Sequence, residues 1–350
     1  RFSSLPSKII PIDRSKDSLA FYDFLEKRGA GDNLRRCALG TFPLPDGGSI
    51  RGLVALKDIN EGDVIIRIPY ELAVNLGEEG TDPSIPGVDL LSRYCQAFHV
   101  ENPTAMDYVQ YYRMLPKCLG EDCLGSTDFF SDEALDALQT PFVANETKDR
   151  RSTVQKRFEE KISSDSDFPK WIDQSPVTEE HLRWAVWLIT SRVLTVRGDE
   201  GHAYRLLIPL LDMCNHDNLS QHVLKGRAVP GGELKVIAGT PVKAGEQINI
   251  PYGGGLAGND RFIQDYGFVD PDMGFNIVAL QLLGEFRGEG VRATEFISGA
   301  NRKEALEALQ QTTIEQDREL LEEEIPPDVK SAVQYRIGIK DALLFLKDSD

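Results

Sequence analysis

LLIPLLDMCNHDN, residues 206–218, is an apolar run that stops abruptly in Asp212, Asn215, His216 and Asp217. Polar groups at the end of a buried strand need partners, because an unpaired one costs roughly 1–3 kcal/mol. Asn215 offers two donors and an acceptor, and with nearby backbone groups it forms the kind of set that an adenine edge requires. Taken alone, Asn215-His216-Asp217 reads first as a hydrogen-bonded turn closing a hairpin. The partner stretch is GEQINIPYGGGLAGND, residues 245–260, followed by RFIQDYGFVD, residues 261–270. A strand over 246–251 delivers Tyr252 into a glycine-rich turn. That turn lacks both Gly-Lys-Ser/Thr and a clean GxGxxG, so no phosphate cradle is expected. In isolation it is a flexible loop beside a packing tyrosine.

Around this centre the periodicity changes several times. Residues 17–29 predict a helix capped by Asp17 or Ser18, with Leu19, Phe21, Phe24 and Leu25 as its apolar stripe and Gly29 as its stop. Between 36 and 73, β-prone runs such as 51–55 and 64–68 alternate with turns at Asp46-Gly47-Gly48 and Glu61-Gly62-Asp63, which predicts hairpins. From 75 to 200 the pattern is mostly helical, with helices over 129–138, 148–162 and 179–195, the last capped by Thr178. Strand character returns at 204–211, 222–229, 233–239 and 246–251, with a turn at Pro230-Gly231-Gly232; after 275 the chain is helical again. The organisation is therefore α+β: β-rich core over 1–74 and 204–272, a helical insert over 75–203, and a helical tail over 273–350.

The formal net charge of −17 repels nucleic-acid phosphates and anionic lipid, so neither is expected as a partner. A basic protein is the easier partner, although solubility alone also accounts for the charge. No apolar run approaches the roughly eighteen residues of a membrane-spanning helix. The chain starts at Arg1 without a methionine, as a mature or trimmed form would. Its five cysteines, Cys37, Cys95, Cys118, Cys123 and Cys214, are odd in number and scattered, which argues for a reducing compartment over a disulfide framework. Cys118 and Cys123 stand without a second ligand pair, so no metal site is expected. A Rossmann-type small-molecule methyltransferase is excluded by the absence of a glycine-rich strand-turn-helix near the N-terminus.

Taken in order, the pieces resemble the SET-domain methyltransferases of the Rubisco large-subunit methyltransferase type, which include the actin-histidine methyltransferase. The resemblance rests on RGLVALKDINEGDVIIRIP (51–69), LP (115–116), DFFSDEALDALQ (128–139), RWAVWLITSRVL (183–194), IPLLDMCNHD (208–217), AGEQINIPYG (244–253), Asn259, YGF (266–268) and AVQYRIGIKDALL (332–344). It implies a SET fold of short sheets with a threaded C-terminal segment, split by the insert, and a helical substrate-binding tail. It implies S-adenosylmethionine as cofactor, S-adenosylhomocysteine as product, no metal, a protein substrate and a monomer. The compartment it suggests is the plastid on one branch, and cytoplasm or nucleus on the other.

The same resemblance implies residue roles. Ser49, Arg51 and Leu53 would hold the methionine end of the cofactor, largely through backbone, although the family often has Glu and an apolar residue in place of Ser49 and Arg51. Ser191 and Arg192 would anchor its carboxylate, a task suited to a forked guanidinium. Asp212, Asn215 and His216 match the cofactor strand, Tyr252 the catalytic tyrosine, and Tyr266 and Phe268 the wall of the cofactor pocket, the latter stacking near adenine. The histidine-directed relative has Asn and Trp where Leu194 and Leu211 stand here. Leu cannot orient an imidazole, whereas an apolar slot suits a lysine stem, so protein lysine is the expected acceptor. A non-catalytic SET scaffold is the competing expectation.

Overall fold

Ser15, with Asp13 behind it, starts the first helix, α1 (Lys16–Lys27): its Oγ accepts from the Ser18 amide at 3.3 Å. The cap therefore lies before Asp17 and Ser18, the two residues expected to provide it. Phe21, Phe24 and Leu25 are buried, whereas Leu19, expected on the same stripe, projects into solvent because it lies on the opposite side of the 3.6-residue turn. The computed structural model describes residues 11–43, 48–98, 108–117, 125–172, 175–255, 258–270 and 299–347. Cys118, Cys123, Asp46, Gly47 and the first part of the predicted tail lie outside these residues.

One hairpin forms next, whereas the expected second one does not: the turn at Glu61-Gly62-Asp63 carries the chain out of one sheet and into another. β1 (Cys37–Pro43) pairs antiparallel with β2 (Ser49–Ala55), in a register that sets Leu39 against Leu53 and Thr41 against Arg51. β3 (Val64–Pro69) follows a turn at Gly62, whose φ of +83° suits glycine. β4 (Val74–Glu78) is a strand at the start of the segment expected to be helical; it pairs antiparallel with the later strand Ala203–Leu207. The insert contains α2 (Ser84–Phe98), α3 (Val109–Tyr112), α4 (Asp132–Ala137), α5 (Pro141–Phe158) and a short hairpin of β5 (Trp171–Ile172) and β6 (Ser175–Pro176). α6 (Glu179–Arg192) is capped by Thr178, with His181 returning its ring to the Thr178 amide at 3.0 Å. It ends at Arg192, earlier than expected, because Val193 is already extended and the alternating Leu194–Arg197 becomes β7.

β7 pairs with β8 (Ala203–Leu207), and β8 stops four residues short of the predicted strand. Pro209 supplies no amide to a ladder, and Leu210 adopts φ 71°, ψ −46°, near the strained γ-turn well. A single 3₁₀ turn over Leu211–Met213 follows, then β9 (Asn215–His216). β10 (Val223–Gly226), shorter than the run expected over 222–229, and β11 (Glu233–Ile237) form a sheet with β3, in the order β10-β11-β3. β12 (Gln247–Ile250) lies between β2 and β9, antiparallel to the first and parallel to the second. That placement brings the two polar stretches of the sequence side by side: Asn249 faces Asn215, and Ile250 faces His216.

After β12 the chain makes a short turn over Tyr252–Gly255, then α7 (Asn259–Arg261), which runs on as a π-turn over Phe262–Tyr266. The tail contributes α8 (Gly299–Leu309), α9 (Ile314–Leu321) and α10 (Pro327–Lys347). Two apolar cores result. One joins the strands to α1, α2 and α6 through Leu53, Ile66, Trp184, Leu206 and Ile248. The other joins α4 and α5 to the tail through Leu135, Val143, Val333 and Ile339, and also buries Ile263 of the π-turn. The insert thus contributes to both cores, and the segment following Tyr252 is clamped between them. Among the described residues, no helix is long and apolar enough to cross a membrane.

Candidate active site

Tyr252 is placed by three contacts. Its hydroxyl donates to the Cys214 carbonyl at 2.6 Å, its backbone amide donates to Nδ1 of His216 at 3.0 Å, and its ring stacks on Tyr266 at 4.8 Å between centroids. Because Nδ1 of His216 accepts, the ring proton sits on Nε2, which donates to Asp270 at 3.3 Å. Both nitrogens of His216 are thereby engaged, and burial lowers its pKa despite Asp270, so the ring stays a neutral strut. Asp270 is itself held by reciprocal bonds with Asn259: its amide donates to Oδ1 at 2.7 Å and its carbonyl accepts from Nδ2 at 3.0 Å. Phe262 and Phe268, stacked at 5.2 Å, complete an aromatic cluster around His216.

Burial raises the pKa of the Tyr252 phenol far above its usual range, so it is a neutral donor at physiological pH. It forms one wall of a cleft of about 800 Å³ whose lining includes Ser191, Arg192, Leu194, Leu211, Asp212 and Tyr266. Leu224, Ile250 and Pro251 add further apolar surface.

A polar base adjoins the apolar wall. Arg192 Nη1 donates to the Asp212 carbonyl at 2.8 Å, and Tyr111 donates its phenol proton to Asp212 Oδ2 at 2.8 Å. Asp212 Oδ1 and Arg192 Nε are buried and have no hydrogen-bond partner among the described residues. Arg51 donates to the Met114 carbonyl and lies 3.7 Å from the Met213 sulfur; burial and repulsion by Arg192 lower its pKa. Two guanidiniums thus flank one carboxylate, and among the described residues neither Arg51 nor Arg192 forms a salt bridge. A buried cation surplus with an orphaned N–H and an orphaned carboxylate oxygen matches a ligand carrying both a carboxylate and an ammonium.

The other predicted residues are arranged as follows. Asn215 Nδ2 donates to the Arg51 carbonyl at 2.9 Å, tying β9 to β2, which leaves its Oδ1 as its acceptor toward a ligand. Gly52 makes room for this: a Cβ there would lie 2.7 Å from Asn215 Nδ2. Leu53 is fully buried between Leu39 and Ile248, so only its backbone can meet a ligand. Ser49 stands exposed at the start of β2, opposite Pro43. Ser191 donates its hydroxyl to the Trp187 carbonyl at 2.6 Å, and its oxygen remains free to accept. Tyr111, Met114, Phe262, Asp265 and Asp270 also shape the site; their partners are too distant in sequence for spacing to have announced them.

Burial pushes the Asp212 carboxyl up from 3.8 to about 6, against the opposing effects of Arg192 and the Tyr111 hydrogen bond. Between about pH 4 and pH 6 the folded protein therefore holds a proton that the unfolded chain has lost, and stability falls as pH rises through that window. Asp212→Asn is expected to remove this slope, as read from urea melts at pH 4.5 and 6.5; an unchanged slope would refute the assignment. The turn after Tyr266 is equally constrained. Gly267 has φ +87°, and a Cβ there would lie 1.9 Å from the Gly125 carbonyl oxygen. Gly267→Ala is expected to cost at least about 3 kcal/mol in urea unfolding, and a variant as stable as the parent would show that this packing does not hold.

The SET domain family model matches residues 50–253, a span that contains Arg192, Asp212, Asn215, His216 and Tyr252 and all of the cleft lining except Arg261, Asp265 and Tyr266. The chain belongs to the SET-domain family. Among its relatives is the pea (Pisum sativum) chloroplastic Rubisco large-subunit N-methyltransferase, 26% identical over 243 residues, covering 63% of this chain and 46% of the relative. The Arabidopsis thaliana chloroplastic fructose-bisphosphate aldolase-lysine N-methyltransferase is 26% identical over 75% of this chain and 55% of its own length. The dog (Canis lupus familiaris) actin-histidine N-methyltransferase is 25% identical over 66% of this chain and 40% of its own. The chain thus spans about half the length of the curated relatives it matches. The SET domain of LSMT bound to lysine and AdoHcy superposes with a TM-score of 0.66 over 96% of this chain and 91% of that one, at 20% identity. Rubisco LSMT bound to AdoMet superposes with a TM-score of 0.63 over the same shares, also at 20% identity. These likenesses establish the SET fold expected from the sequence.

Proposed function

We propose that this SET chain is an S-adenosylmethionine-dependent protein N-methyltransferase acting on a lysine side chain. The observation that carries the reading is the junction of two environments at Tyr252. On one side lie the unsatisfied Arg192 Nε and Asp212 Oδ1; on the other lies the apolar and aromatic lining of the same cleft. The cofactor supplies a sulfonium-bound, electrophilic methyl group. Its carboxylate matches Arg192, with Arg51 nearby, and its ammonium matches Asp212.

The chain's own residues then have three tasks. The first is to favour the neutral amine: deprotonating a free lysine at pH 7.5 costs roughly 4 kcal/mol, and the desolvating walls of Leu194, Leu211, Leu224, Ile250 and Tyr266 reduce that cost by disfavouring the ammonium. The proton leaves to water before the acceptor nitrogen is enclosed. The second is orientation. The Tyr252 hydroxyl, locked on the Cys214 carbonyl, presents its remaining lone pairs at the end of the cleft and holds the amine in line. The third is exclusion of water, supplied by the Tyr252–Tyr266 stack. The phenol serves as an orienting group, since burial keeps it protonated.

Leu194 and Leu211 favour lysine over histidine, because neither offers the hydrogen bond that would fix an imidazole ring. The test is incubation of the protein and tritiated S-adenosylmethionine with a total lysate, then mass spectrometry of the labelled band. Methyl-lysine is the expected product, and exclusive methyl-histidine would overturn the acceptor assignment. Failure to bind S-adenosylhomocysteine at millimolar concentration in calorimetry would instead favour a non-catalytic scaffold. The target protein and its compartment follow from the same labelled band.

A further inference from the structure

The wall of the cleft that adjoins Tyr252, where Tyr266 stacks on its ring, belongs to the π-turn Phe262–Tyr266, and that turn is held from the insert. Arg150, in the middle of α5, directs three donors across the gap. Nε donates to Asp128 Oδ1 at 2.8 Å, Nη1 to Asp265 Oδ1 at 2.9 Å, and Nη2 to the Gln264 carbonyl at 2.5 Å. The Arg150 side chain is 12% exposed and that of Asp128 only 1%. The next residue, Arg151, fixes the turn that presents Asp128, donating to the Asp128 carbonyl at 3.0 Å and the Thr127 carbonyl at 2.9 Å. One turn earlier on α5, Glu146 accepts from Arg261 at 3.0 Å. Arg261 and Asp265 both line the cleft.

A π-turn replaces the usual i→i+4 bonds by i→i+5 ones, here from the Gly267 amide to the Phe262 carbonyl at 2.8 Å, and outside partners hold it further. Here those partners are Arg150 on the carboxylate of Asp265 and the carbonyl of Gln264, and Thr190 on the carbonyl of Asp265 at 3.3 Å. None of them is Tyr266 itself, yet Tyr266 is the residue stacked on Tyr252. Without the guanidinium, the buried Asp128 and the half-buried Asp265 would be two carboxylates sharing no cation from α5, and the turn would lose its link to that helix. Among the described residues, no hydrogen bond links the polar base around Arg192 and Asp212 to this network.

We infer that Arg150 is a positioning residue for the acceptor side of the site: it ties the insert to the π-turn and so sets the position of the Tyr266 ring against Tyr252. This rests on the reading of the Tyr252–Tyr266 cleft as the acceptor channel. Loss of the strut therefore weakens acceptor use and leaves cofactor binding intact. An arginine is suited to the role because its planar fork reaches two acceptors at once; a lysine of equal charge reaches one.

The test compares Arg150→Met, Arg150→Lys and Asp265→Asn in the full chain. Asp265→Asn leaves Arg150 paired with Asp128, so it stays informative if Arg150→Met does not fold. Amide exchange over 262–268 is expected to speed up at least tenfold in Asp265→Asn and Arg150→Met, with exchange over 247–250 unchanged. The Kd of S-adenosylhomocysteine should stay within twofold of the parent. With the acceptor protein isolated by the labelling experiment above, KM should rise tenfold or more, with Arg150→Lys intermediate. Parallel loss of cofactor and acceptor affinity, or exchange and KM that do not move, would overturn the inference. A parent protein that binds S-adenosylhomocysteine but labels nothing would overturn the proposed function instead.

Discussion

Tyr252→Phe should lower the rate of methyl transfer by about 10³-fold while leaving S-adenosylhomocysteine affinity within threefold of the parent. The substitution removes one oxygen and keeps the ring. The stack on Tyr266 and the backbone bond to His216 persist, because neither uses the hydroxyl. What disappears is the donor to the Cys214 carbonyl and the lone pairs facing the cleft. A thousandfold rate loss corresponds to about 4 kcal/mol of transition-state stabilisation, which exceeds the roughly 1–3 kcal/mol expected for leaving the Cys214 carbonyl unpaired. Stability and rate therefore separate: a small drop in the urea midpoint accompanies a large drop in kcat. Single-turnover labelling with saturating cofactor reads the chemical step directly. A Tyr252→Phe protein retaining more than a tenth of the parent rate would remove the hydroxyl from the mechanism.

Much of this architecture was legible because local signals and global packing agree. Gly62 punctuates a turn between two strands where its φ is positive, and Thr178 caps α6 as its residue type predicts. The failures have local causes of a different kind. The strand predicted over 204–211 stops at Leu207 because Pro209 and the strained Leu210 turn the chain, and apolar content alone cannot distinguish a strand from such a turn. The helix predicted over 179–195 gives way to β7, whose residues pair with β8, so tertiary pairing overrides the helical run. The polar residues at the cleft were visible as residue types, but their duties were not. His216 looked like a ligand-binding group, yet its nitrogens are taken by Tyr252 and Asp270, 36 and 54 residues away. Asp212 is set by Tyr111 from 101 residues upstream, a pairing that no motif spacing encodes. The SET resemblance identified the centre, while the geometry separates the ring of His216, with both nitrogens engaged, from groups with unused bonding capacity, Arg192, Asp212 and Asn215.

Arg192→Met should reduce S-adenosylhomocysteine affinity by about 10²- to 10³-fold, corresponding to roughly 3–4 kcal/mol. The side chain is replaced by one of similar reach, so the helix end and the apolar lining of the cleft are preserved. Two things are lost together: the bond that fixes the Asp212 carbonyl, and the buried Nε that no described residue satisfies. A charge-assisted hydrogen bond contributes about 1.5–3 kcal/mol, and a bidentate contact adds to that. Asp212 then has only Arg51 as a nearby guanidinium, so its carboxyl should titrate higher still. Arg192→Lys restores charge without the fork and should recover part of the affinity. The decisive control is 5′-methylthioadenosine, which keeps the adenosine but lacks the amino-acid end. If Arg192 reads the carboxylate, parent and variant bind that compound equally, and the affinity gap appears with S-adenosylhomocysteine alone. An equal loss for both ligands would mean that Arg192 supports the shape of the site through Asp212 and makes no contact with the carboxylate.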